Sequence, residues 1–395
     1  MEHLIFQAMS YRYAILGAGR QGVSAAYDLA RFGEAEEILL FDLSWSGASR
    51  GAAKINQLTG REIAQGKFLD VRDSDEVRKA FLGIHTALSA VPYLYNLTLT
   101  EAAIDTGTNL CDLGGHTGTS REILVLGESA REKGITIIPD CGMAPGLNIN
   151  LGIHAMSFIE EPEELFIWDG GLPQNPVPPW NYVSTFHING LTNEYFADAC
   201  FIRGGKVANI PCLTELEALS FDSPLGTLEA AVTSGGLSTI PWILKDKLKK
   251  LENKTLRYPG HWQTFEAYKR LGLFELETVD VGDTKIVPRE FFHTLLEPKI
   301  SSQEARDISV IRTKCNGIQN GKPGSCTVEL MDIFDDHTGF TAMEKMTGWH
   351  IAIVAHLAAK GELPAGPLTV DKVLEGKRLE EECKKRGWNL KISHS

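Results

Sequence analysis

Three glycines near the start of the chain form the pattern Gly17-x-Gly19-x-x-Gly22, which lies between an apolar run and a helical segment. In such a turn the first glycine permits a tight bend, the second lets the backbone approach a pyrophosphate, and the third allows close helix packing. The helix N-terminus adds unpaired N–H groups and the positive end of its dipole. The pattern therefore predicts a dinucleotide-binding turn that Arg20 and Gln21 also line; the alternative is a structural turn without a ligand.

A carboxylate follows at the spacing that ribose recognition requires. Asp42 lies 20 residues after Gly22, at the end of the second predicted strand. A carboxylate there can accept hydrogen bonds from the hydroxyls of an adenine ribose, and it repels a 2′-phosphate. We therefore expect NAD rather than NADP as the cofactor, while Arg20 and Arg50 keep accommodation of a phosphate open.

The remaining cofactor contacts are predicted from topology, because ligands of open α/β sheets lie outside the carboxyl ends of the parallel strands. The segments 112–115 and 140–147 end the fifth and sixth predicted strands and are expected to line the nicotinamide pocket. The single positions expected to contact the cofactor are Asp70, Val71, Ala90, Val91, Pro92, Gly114, Met143 and Pro145.

These residues need a scaffold of parallel strands. Short apolar runs alternate with helical segments over the first part of the chain, which is typical of a parallel sheet covered by helices on both faces. The predicted strands span residues 13–16, 38–41, 67–69, 85–91, 108–113 and 135–139. The predicted helices begin near Gln21, Ser74, Tyr93 and Ser120, and the last runs through Lys133. The fold class is therefore α/β, with a Rossmann doubly wound parallel sheet.

The regular alternation stops after Gly146. Strand-like runs at 183–188, 196–202 and 326–334 lack regularly intervening helices, which favours a second α+β domain with a mostly antiparallel sheet. Helical periodicity returns at 341–360 and 370–386. We expect a dinucleotide-binding domain at 1–145, an α+β substrate domain at 146–335, and C-terminal helices at 336–395.

Composition narrows the class of protein. The chain has 395 residues, 43% of them hydrophobic and 23% charged, which is close to the average of globular proteins. Its net charge of −12 repels nucleic acid and anionic membranes, so neither is expected as a partner. We expect no membrane span and no secretory leader. The seven cysteines lack CxxC spacing, which favours a reducing cytoplasm and argues against disulfides and a thiolate zinc site; no metal is predicted.

Several motifs resemble the saccharopine dehydrogenase superfamily. They are ILGAGRQG at 15–22 followed by AYDLA at 26–30, CDLGG at 111–115, GMAPGL at 142–147, NGLTNEY at 189–195, TSGG at 233–236 and TLRYPGH at 255–261. The later motifs are more specific than the glycine pattern, and the resemblance spans most of residues 12–360. It implies a Rossmann domain joined to a saccharopine-reductase-like α+β domain, C-terminal helices that return to the Rossmann domain, and a homodimer.

Within that superfamily the motifs are most similar to lysine 6-dehydrogenases. The implied reaction is NAD-dependent oxidative deamination of the ε-amino group of L-lysine to 2-aminoadipate 6-semialdehyde, which cyclises to a piperideine carboxylate, with release of ammonia. The alternative enzyme is a saccharopine-type or carboxynorspermidine-type NAD(P)H-dependent reductase, for which Arg203 and Arg289 could bind a second carboxylate. The alternative of another class is a non-catalytic dinucleotide-sensing regulator.

The implied reaction requires proton transfer near neutral pH, because the amine must be neutral when it loses hydride and water must then attack the iminium ion. Histidine titrates in this range. His116 follows the turn at 112–115 and is our first candidate for acid/base catalysis, with an ordinary packed or surface histidine as the alternative. Asp112 is the second candidate, which could orient an ammonium or a ring nitrogen, or instead cap the next loop.

An amino-acid substrate also carries an α-carboxylate, which a guanidinium binds in a bidentate geometry. Arg257 lies in the segment where the resemblance implies a substrate carboxylate, and the alternative is a salt bridge between domains. Tyr258 and His261 share its motif. The further positions expected near the substrate are Asn189, Glu194, Thr233 and Ser234, residue types that also include common turn formers.

Overall fold

The computed structural model describes residues 10–302 and 306–395, which fold into two units. The first unit extends to Gly146 and includes Glu344–Val373, and the second comprises Leu147–Met343 and Leu374–Ser395. Residues 1–9 of the domain predicted at 1–145 lie outside the described residues. Each unit has its own sheet and its own hydrophobic core.

The first unit alternates strands and helices. Up to Gly146 its elements are β1 (Tyr11–Leu16), α1 (Arg20–Phe32), β2 (Ala35–Asp42), α2 (Trp45–Thr59), β3 (Ala64–Phe68), α3 (Ser74–Phe81), β4 (Thr86–Ser89), α4 (Asn96–Thr106), β5 (Asn109–Asp112), α5 (Thr117–Val125), α6 (Gly127–Glu132) and β6 (Thr136–Ile138). A 3₁₀ turn at Tyr93–Tyr95 precedes α4. All six predicted strands are present, each within a few residues of its expected bounds.

The second unit contains, in chain order, α7 (Leu147–Met156), β7 (Glu161–Pro173), α8 (Ile188–Phe196), β8 (Asp198–Arg203), β9 (Lys206–Pro211), β10 (Glu217–Ser220), β11 (Thr227–Val232), α9 (Ile240–Leu244), β12 (Lys250–Arg257), α10 (His261–Arg270), β13 (Val279–Val281), β14 (Thr284–Ile286), α11 (Pro288–Ile300), β15 (Asp307–Gln319) and β16 (Lys322–Ile333). The chain then forms α12 (Ala342–Ala359) and β17 (Gly366–Pro367) in the first unit, and α13 (Gly376–Lys385) and β18 (Leu390–His394) in the second.

Strand order creates a ligand-binding edge in the first unit. Its seven-stranded sheet follows the order β17-β6-β5-β4-β1-β2-β3, and the paired strands are parallel. The chain reverses direction along the sheet between β1 and β4, because β2 and β3 lie on one side of β1 and β4 lies on the other. Doubly wound sheets bind ligands at the carboxyl ends of strands at such a switch point. The predicted Rossmann-type α/β fold is confirmed.

The helices of the first unit differ from the prediction in two places. Helix α2 is absent from the predicted helices, because the residues that it buries are mostly too small to form an apolar stripe: Ala48, Gly51, Ala52 and Ile55. Ser44 caps this helix by accepting from a main-chain N–H at 3.1 Å, and Gly60 ends it in the left-handed conformation. The helix predicted from Ser120 to Lys133 is instead two helices, α5 and α6, which meet at Leu126.

The second unit is built around a nine-stranded sheet. Its main path is β10-β11-β12-β7-β15-β16-β18, and β8 pairs with both β12 and β9. Strands β7 and β12 run parallel, whereas the other described pairs in this sheet are antiparallel. The prediction of a second α+β domain with a mostly antiparallel sheet is confirmed.

The strand predicted at 183–188 is not formed. Residues 183–187 lie outside any helix or strand, and α8 begins at Ile188. Ser184 Oγ donates to Phe186 O at 2.6 Å, and His187 Nδ1 accepts from the Asn189 N–H at 3.2 Å. These local side-chain bonds satisfy main-chain groups that a strand would pair with a neighbour, so the segment turns instead of extending.

The C-terminal segment divides between the two units. Helix α12 packs closely in the first unit, where a Cβ at Gly348 would lie 2.8 Å from Ala25 N of α1. Helix α13 and β18 belong to the second unit, because β18 pairs with β16. The expectation that the helices of 336–395 return to the first domain therefore does not hold for α13. The helix predicted at 370–386 is a 3₁₀ turn at Val370–Lys372 followed by α13.

Among residues 10–302 and 306–395, no helix combines the length and the hydropathy that a membrane crossing needs. In the same residues, no group of three or more His, Cys, Asp or Glu side chains is arranged to hold a metal ion.

Candidate active site

The glycine turn joins β1 to α1, and its first and third glycines are tightly packed. Gly17 has a φ of +99°, and a Cβ there would lie 2.6 Å from Ala90 O. A Cβ at Gly22 would lie 1.9 Å from Gly17 O, so only glycine lets α1 pack against the turn. At Gly19, by contrast, a Cβ would meet nothing within 4 Å. This open position is where the sequence analysis expects a pyrophosphate to approach.

The N-terminus of α1 fits a ligand that carries phosphates. Gly19 is its N-cap and supplies no side-chain hydrogen bond, so the N–H groups of the first turn have no capping side chain. Gln21 Oε1 is buried and has no hydrogen-bond partner among the described residues. Arg20 begins the helix, and its Nε lies 3.8 Å from Glu344 Oε1. This arrangement fits a dinucleotide, whose phosphate oxygens would accept from the helix N–H groups and whose hydroxyl groups would donate to the amide oxygen.

Asp42 ends β2 beside the turn. Its Oδ2 accepts from the Ala18 N–H at 2.9 Å, and its Oδ1 accepts from the Ser44 N–H at 2.8 Å. The main chain thus fixes both carboxylate oxygens, and each keeps a further lone pair for a ribose hydroxyl. Arg50, which could accommodate a phosphate, is exposed on α2.

The end of β3 carries an ion pair. Arg72 Nη2 lies 2.5 Å from Asp70 Oδ2, and the Arg72 N–H also donates to Asp70 Oδ1 at 3.0 Å. This pairing lowers the pKa of Asp70 to about 2. Val71 lies between the two residues and is half-buried. Asp70 is therefore ionised at neutral pH and already bound to a guanidinium.

The end of β4 adjoins the glycine turn. The Ala90 N–H donates to Leu16 O at 2.8 Å, which continues the pairing of β4 with β1. Val91 Cγ1 would lie 3.3 Å from a Cβ at Gly17, and Pro92 precedes the 3₁₀ turn. Ala90, Val91 and Pro92 therefore lie at the carboxyl end of β4, where the sheet topology predicts the cofactor.

Two buried carboxylates meet at the carboxyl ends of β5 and β6. Asp112 Oδ1 accepts from the Gly114 N–H at 2.6 Å and from the Asp140 N–H at 3.2 Å. Asp140 Oδ1 accepts from Ser120 Oγ at 2.9 Å. Burial, reinforced by the Asp140 carboxylate, raises the pKa of Asp112 to about 7. Asp112 can therefore exchange a proton at neutral pH, an ability for which the sequence analysis favoured a histidine.

His116 lies beyond the same strand end but is exposed. Its Nδ1 accepts from the Thr119 N–H at 3.2 Å as the N-cap of α5, and its ring stacks on Tyr93 with centroids 5.1 Å apart. With Nδ1 accepting, the neutral ring carries its proton on Nε2. The imidazole therefore has a structural role as a cap beside the predicted chemical one.

The two segments predicted to line the nicotinamide pocket contact each other. The Gly142 N–H donates to Pro145 O at 2.9 Å, which closes a tight loop. A Cβ at Gly114 would lie 2.6 Å from Asp140 Oδ1 and 3.2 Å from Pro145 Cγ. Met143 is buried within the loop. Glycine at position 114 is thus required by this close approach.

A buried arginine is the centre of a polar cluster in the second unit. Arg257 ends β12 and is 2% exposed. Its Nε donates to Tyr195 Oη at 3.0 Å, its Nη1 donates to Leu256 O at 3.0 Å, and its guanidinium lies 4.9 Å from the centroid of the Tyr182 ring. No carboxylate of the described residues lies within 4.0 Å of the guanidinium nitrogens. A buried cation without an ion pair is suited to bind an anion from outside the chain.

Two carboxylates belong to the same cluster. Asp169, on β7, accepts at Oδ2 from Asn253 Nδ2 at 2.6 Å and from Asn148 Nδ2 at 3.2 Å. Glu194, on α8, makes no side-chain hydrogen bond with the described residues. Burial raises the pKa of Asp169 to about 6 and that of Glu194 to about 7, and the Arg257 charge opposes both shifts.

His261 positions the arginine through Tyr195. Its Nε2 lies 3.0 Å from Tyr195 Oη, and its Nδ1 lies 2.9 Å from Trp180 O. Burial, followed by the Arg257 charge, lowers the pKa of His261 well below its usual range, so the ring is neutral. Both ring nitrogens are engaged by the protein, and the predicted contact of His261 with the substrate stays a prediction.

The other predicted substrate positions divide into two groups. Thr233 Oγ1 lies 2.7 Å from a threonine hydroxyl on β12, and the Ser234 N–H donates to Glu194 O at 2.9 Å, so both adjoin the cluster. Tyr258 Oη instead donates to a main-chain oxygen of β7 at 3.1 Å, and Asn189 is exposed in the first turn of α8. The structure does not bring these last two to the arginine.

Two residues of these sites were not predicted as functional: Asp169 and Tyr195. A signal existed for Asp169, which interrupts the apolar run LFIWDGG at 165–171, since a charge inside a buried strand requires a partner or a function. Tyr195 had no such signal, because an aromatic residue on a helix is most often part of the core.

The fold and the turn define the first unit as a dinucleotide-binding domain. The Saccharopine dehydrogenase NADP binding domain matches residues 13–138, and the Saccharopine dehydrogenase C-terminal domain matches residues 142–387. The chain therefore belongs to the saccharopine dehydrogenase family. The structural resemblance agrees: saccharopine dehydrogenase (L-Glu forming) from Saccharomyces cerevisiae superposes with a TM-score of 0.77 at 17% identity, covering 98% of this chain and 100% of that one.

Two other proteins are also similar to this chain. Homospermidine synthase from Legionella pneumophila, solved in complex with NAD, has a TM-score of 0.68 at 11% identity and covers 98% of this chain and 92% of its own. Mitochondrial alpha-aminoadipic semialdehyde synthase of Mus musculus is 23% identical over 374 residues, which cover 74% of this chain. This chain spans 39% of the length of that curated relative.

Proposed function

We propose that the protein is an NAD-dependent oxidoreductase that deaminates the ε-amino group of L-lysine. Hydride leaves the ε-carbon of the neutral amine, the resulting iminium ion adds water, and ammonia departs. The product is 2-aminoadipate 6-semialdehyde, which cyclises to a piperideine carboxylate. The observation that carries the proposal is the buried Arg257 guanidinium, which has no ion-pair partner among the described residues and fits the carboxylate of an amino acid.

The glycine turn and Asp42 support NAD as the cofactor. NAD, when bound, supplies the acceptor for the hydride. Gly17, Gly19 and Gly22 would hold its pyrophosphate and Asp42 its adenine ribose. Both Asp42 oxygens are fixed by main-chain N–H groups, so this carboxylate cannot turn away from a 2′-phosphate, and that favours NAD over NADP.

Proton transfer is assigned to Asp112 and His116. The pKa of Asp112, about 7, lets its carboxylate take a proton from a substrate ammonium at and above neutral pH. Asp140 keeps that pKa high through its own charge. His116 presents the proton-bearing Nε2, because its Nδ1 is held by the cap of α5.

Arg289 favours a second candidate, a saccharopine-type or carboxynorspermidine-type reductase that joins an amine to a carbonyl compound. Its Nε donates to Phe274 O at 2.7 Å and its Nη1 to Asn193 Oδ1 at 3.0 Å, whereas Nη2 is buried without a partner in the described part of the chain. This nitrogen could bind a second carboxylate. Arg203, named earlier for the same role, is instead paired with Glu252 at 2.6 Å.

A substrate screen tests the proposal. Lysine, ornithine, saccharopine and polyamines are each incubated with NAD or NADP at alkaline pH, and reduced nicotinamide and ammonia are measured. We expect turnover with lysine and NAD, with ammonia and reduced cofactor formed in equal amounts. Turnover only when an amine, a carbonyl compound and reduced cofactor are supplied together would instead support the reductase. Cofactor binding without turnover of any substrate would support the non-catalytic regulator.

Assembly and compartment are part of the proposal. We infer a homodimer that acts in a reducing cytosol on a small-molecule amino-acid substrate, without nucleic acid or membrane partners. The free cysteines, six of which are buried, support the compartment. Sedimentation velocity measures the first inference, since a monomer at micromolar concentration would contradict it.

A further inference from the structure

Two carboxyl groups of the second unit, those of Asp169 and Glu194, lie near the Arg257 guanidinium but form no ion pair with it. Asp169 and Glu194 influence each other and Arg257 electrostatically, yet neither lies within 4.0 Å of an Arg257 nitrogen. The two hydrogen bonds to Asp169 both reach Oδ2, and no donor among the described residues reaches Oδ1 or the Glu194 carboxylate. Asp169 is buried and Glu194 is half-buried, and acidic groups that serve only stability are normally paired when they are buried.

Tyr182 adds a third polar group to the cluster. Its Oη is buried, with 7% of the residue exposed, and it lies beside the Ser184 side chain without meeting hydrogen-bond geometry with any described residue. The ring of Tyr182 packs against the Arg257 guanidinium, and its hydroxyl is close enough to Glu194 to feel that charge. The cluster therefore presents one cation, two carboxyl groups and one hydroxyl whose hydrogen-bonding capacity the described residues leave partly unused.

We propose that Glu194 and Asp169 bind the α-ammonium group of an amino-acid substrate whose α-carboxylate binds Arg257. An α-amino acid carries these opposite charges on adjacent groups, so one zwitterion satisfies both the guanidinium and the carboxylates. The Tyr182 hydroxyl adds a hydrogen bond to the same head group. This inference deepens the proposed lysine deamination and rests on it only in taking the substrate to be an amino acid.

The specificity that follows is for the α-carbon end of the substrate. A diamine without a carboxylate leaves Arg257 uncompensated, and an ω-amino acid without an α-amino group leaves both carboxylates uncompensated. The site therefore selects free α-amino acids. It rejects polyamines and peptides blocked at the α-nitrogen.

Binding of an unreactive ligand tests the inference. L-norleucine has the carbon chain of lysine but no ε-nitrogen, and hexanoate additionally lacks the α-ammonium. Calorimetry on the wild-type protein should show norleucine binding about 10- to 100-fold tighter than hexanoate, as expected for a hydrogen bond between charged groups. Equal affinity for the two ligands would overturn the inference without the need for any variant.

Variants assign the effect to residues. Glu194→Gln and Asp169→Asn should each weaken norleucine binding about 10-fold or more and leave hexanoate binding unchanged. The matched control is Glu161→Gln, an exposed position at the start of the strand that carries Asp169. Wild-type norleucine affinity in both cluster variants would overturn the inference, and circular dichroism identifies a variant that fails to fold.

Two results distinguish a failure of the ammonium site from a failure of the proposed function. If norleucine binding depends on Glu194 but lysine is not oxidised, the α-ammonium site is supported and the deamination is contradicted. If lysine is oxidised with the same kcat/KM in Glu194→Gln and in wild type, the deamination is supported and the site is contradicted.

Discussion

Asp112 titrates near neutral pH because it is buried beside Asp140, although an aspartate in water has a pKa of about 4. Both are at most 3% exposed, and main-chain N–H groups donate to Asp112. The neighbouring charge disfavours full ionisation of the pair. Perturbed pairs of this kind are concentrated at catalytic sites, which supports the proton-transfer role that we propose for Asp112.

The raised pKa of Asp112 predicts a pH dependence of stability. The folded protein keeps this proton up to about pH 7, whereas the unfolded chain releases it near pH 4, as an ordinary aspartate does. The folded state binds more protons in that window, so its free energy of unfolding falls as pH rises. Asp112→Asn should reduce this fall by up to about 1.4 kcal/mol per pH unit.

Urea denaturation at about pH 5 and about pH 8 measures the effect of Asp112→Asn. The control is Glu101→Gln, an exposed position on α4, which should behave as wild type. An identical pH dependence in wild type and Asp112→Asn would show that Asp112 titrates normally.

Asp42 predicts the choice of cofactor. Asp42→Asn removes the negative charge but retains an acceptor for one of the two main-chain N–H groups. We expect NAD affinity to fall about 10-fold and NADP affinity to fall less or to rise, because repulsion of the 2′-phosphate is lost. Asp42→Ala should weaken NAD binding more than NADP binding. Calorimetry with both cofactors is the measurement, and equal losses for NAD and NADP would show that Asp42 does not contact the ribose.

At the scale of elements, two glycines of the turn between β1 and α1 have different roles: Gly22 is required for packing, and Gly19 is expected to contact the cofactor. A Cβ at Gly22 would collide with the turn, whereas a Cβ at Gly19 would be accommodated. Gly22→Ala should therefore lower the free energy of unfolding by about 1–3 kcal/mol as well as impair NAD binding. Gly19→Ala is the matched variant and should weaken NAD binding with an almost unchanged melting temperature. A melting temperature lowered equally by both changes would contradict this division.

Strand positions in the first unit were predictable because each strand is a short apolar run bounded by turn residues. The missed helix α2 buries mainly alanine and glycine, so its face carries little hydrophobic signal. At 183–187 the error is the opposite one, because the predicted strand is not formed. Val183 and Thr185 favour a strand locally, but side-chain hydrogen bonds hold the segment in a turn.

At the scale of the whole molecule, the chain crosses between the two units and the last strand completes the second one. Strand β18 pairs with β16, and Trp388 Nε1 donates to Asp332 Oδ2 at 3.0 Å. Deletion of residues 388–395 would remove these bonds and expose β16 as an edge. We expect a lower melting temperature of the second unit and greater aggregation, with NAD affinity retained by the first unit.

Thermal unfolding, light scattering and NAD titration of the truncated protein test this prediction. Lys391→Ala is the control, because it removes only an exposed ion pair with Asp222 at 3.1 Å and should change stability by less than about 0.5 kcal/mol. Loss of NAD binding in the truncated protein would show that the two units do not fold independently in this respect.

The sequence by itself determined the glycine turn, the position of the aspartate that we propose for ribose binding and the parallel sheet, because each depends on residues close together in the chain or on a local repeat of apolar positions. It also singled out Arg257, through a motif. Only the tertiary structure decided what surrounds that arginine: Asp169 on β7, Glu194 on α8 and His261 on α10 come together through long-range pairing of strands and helices. Burial then set their charges, and burial is a property of the folded chain rather than of any segment of its sequence.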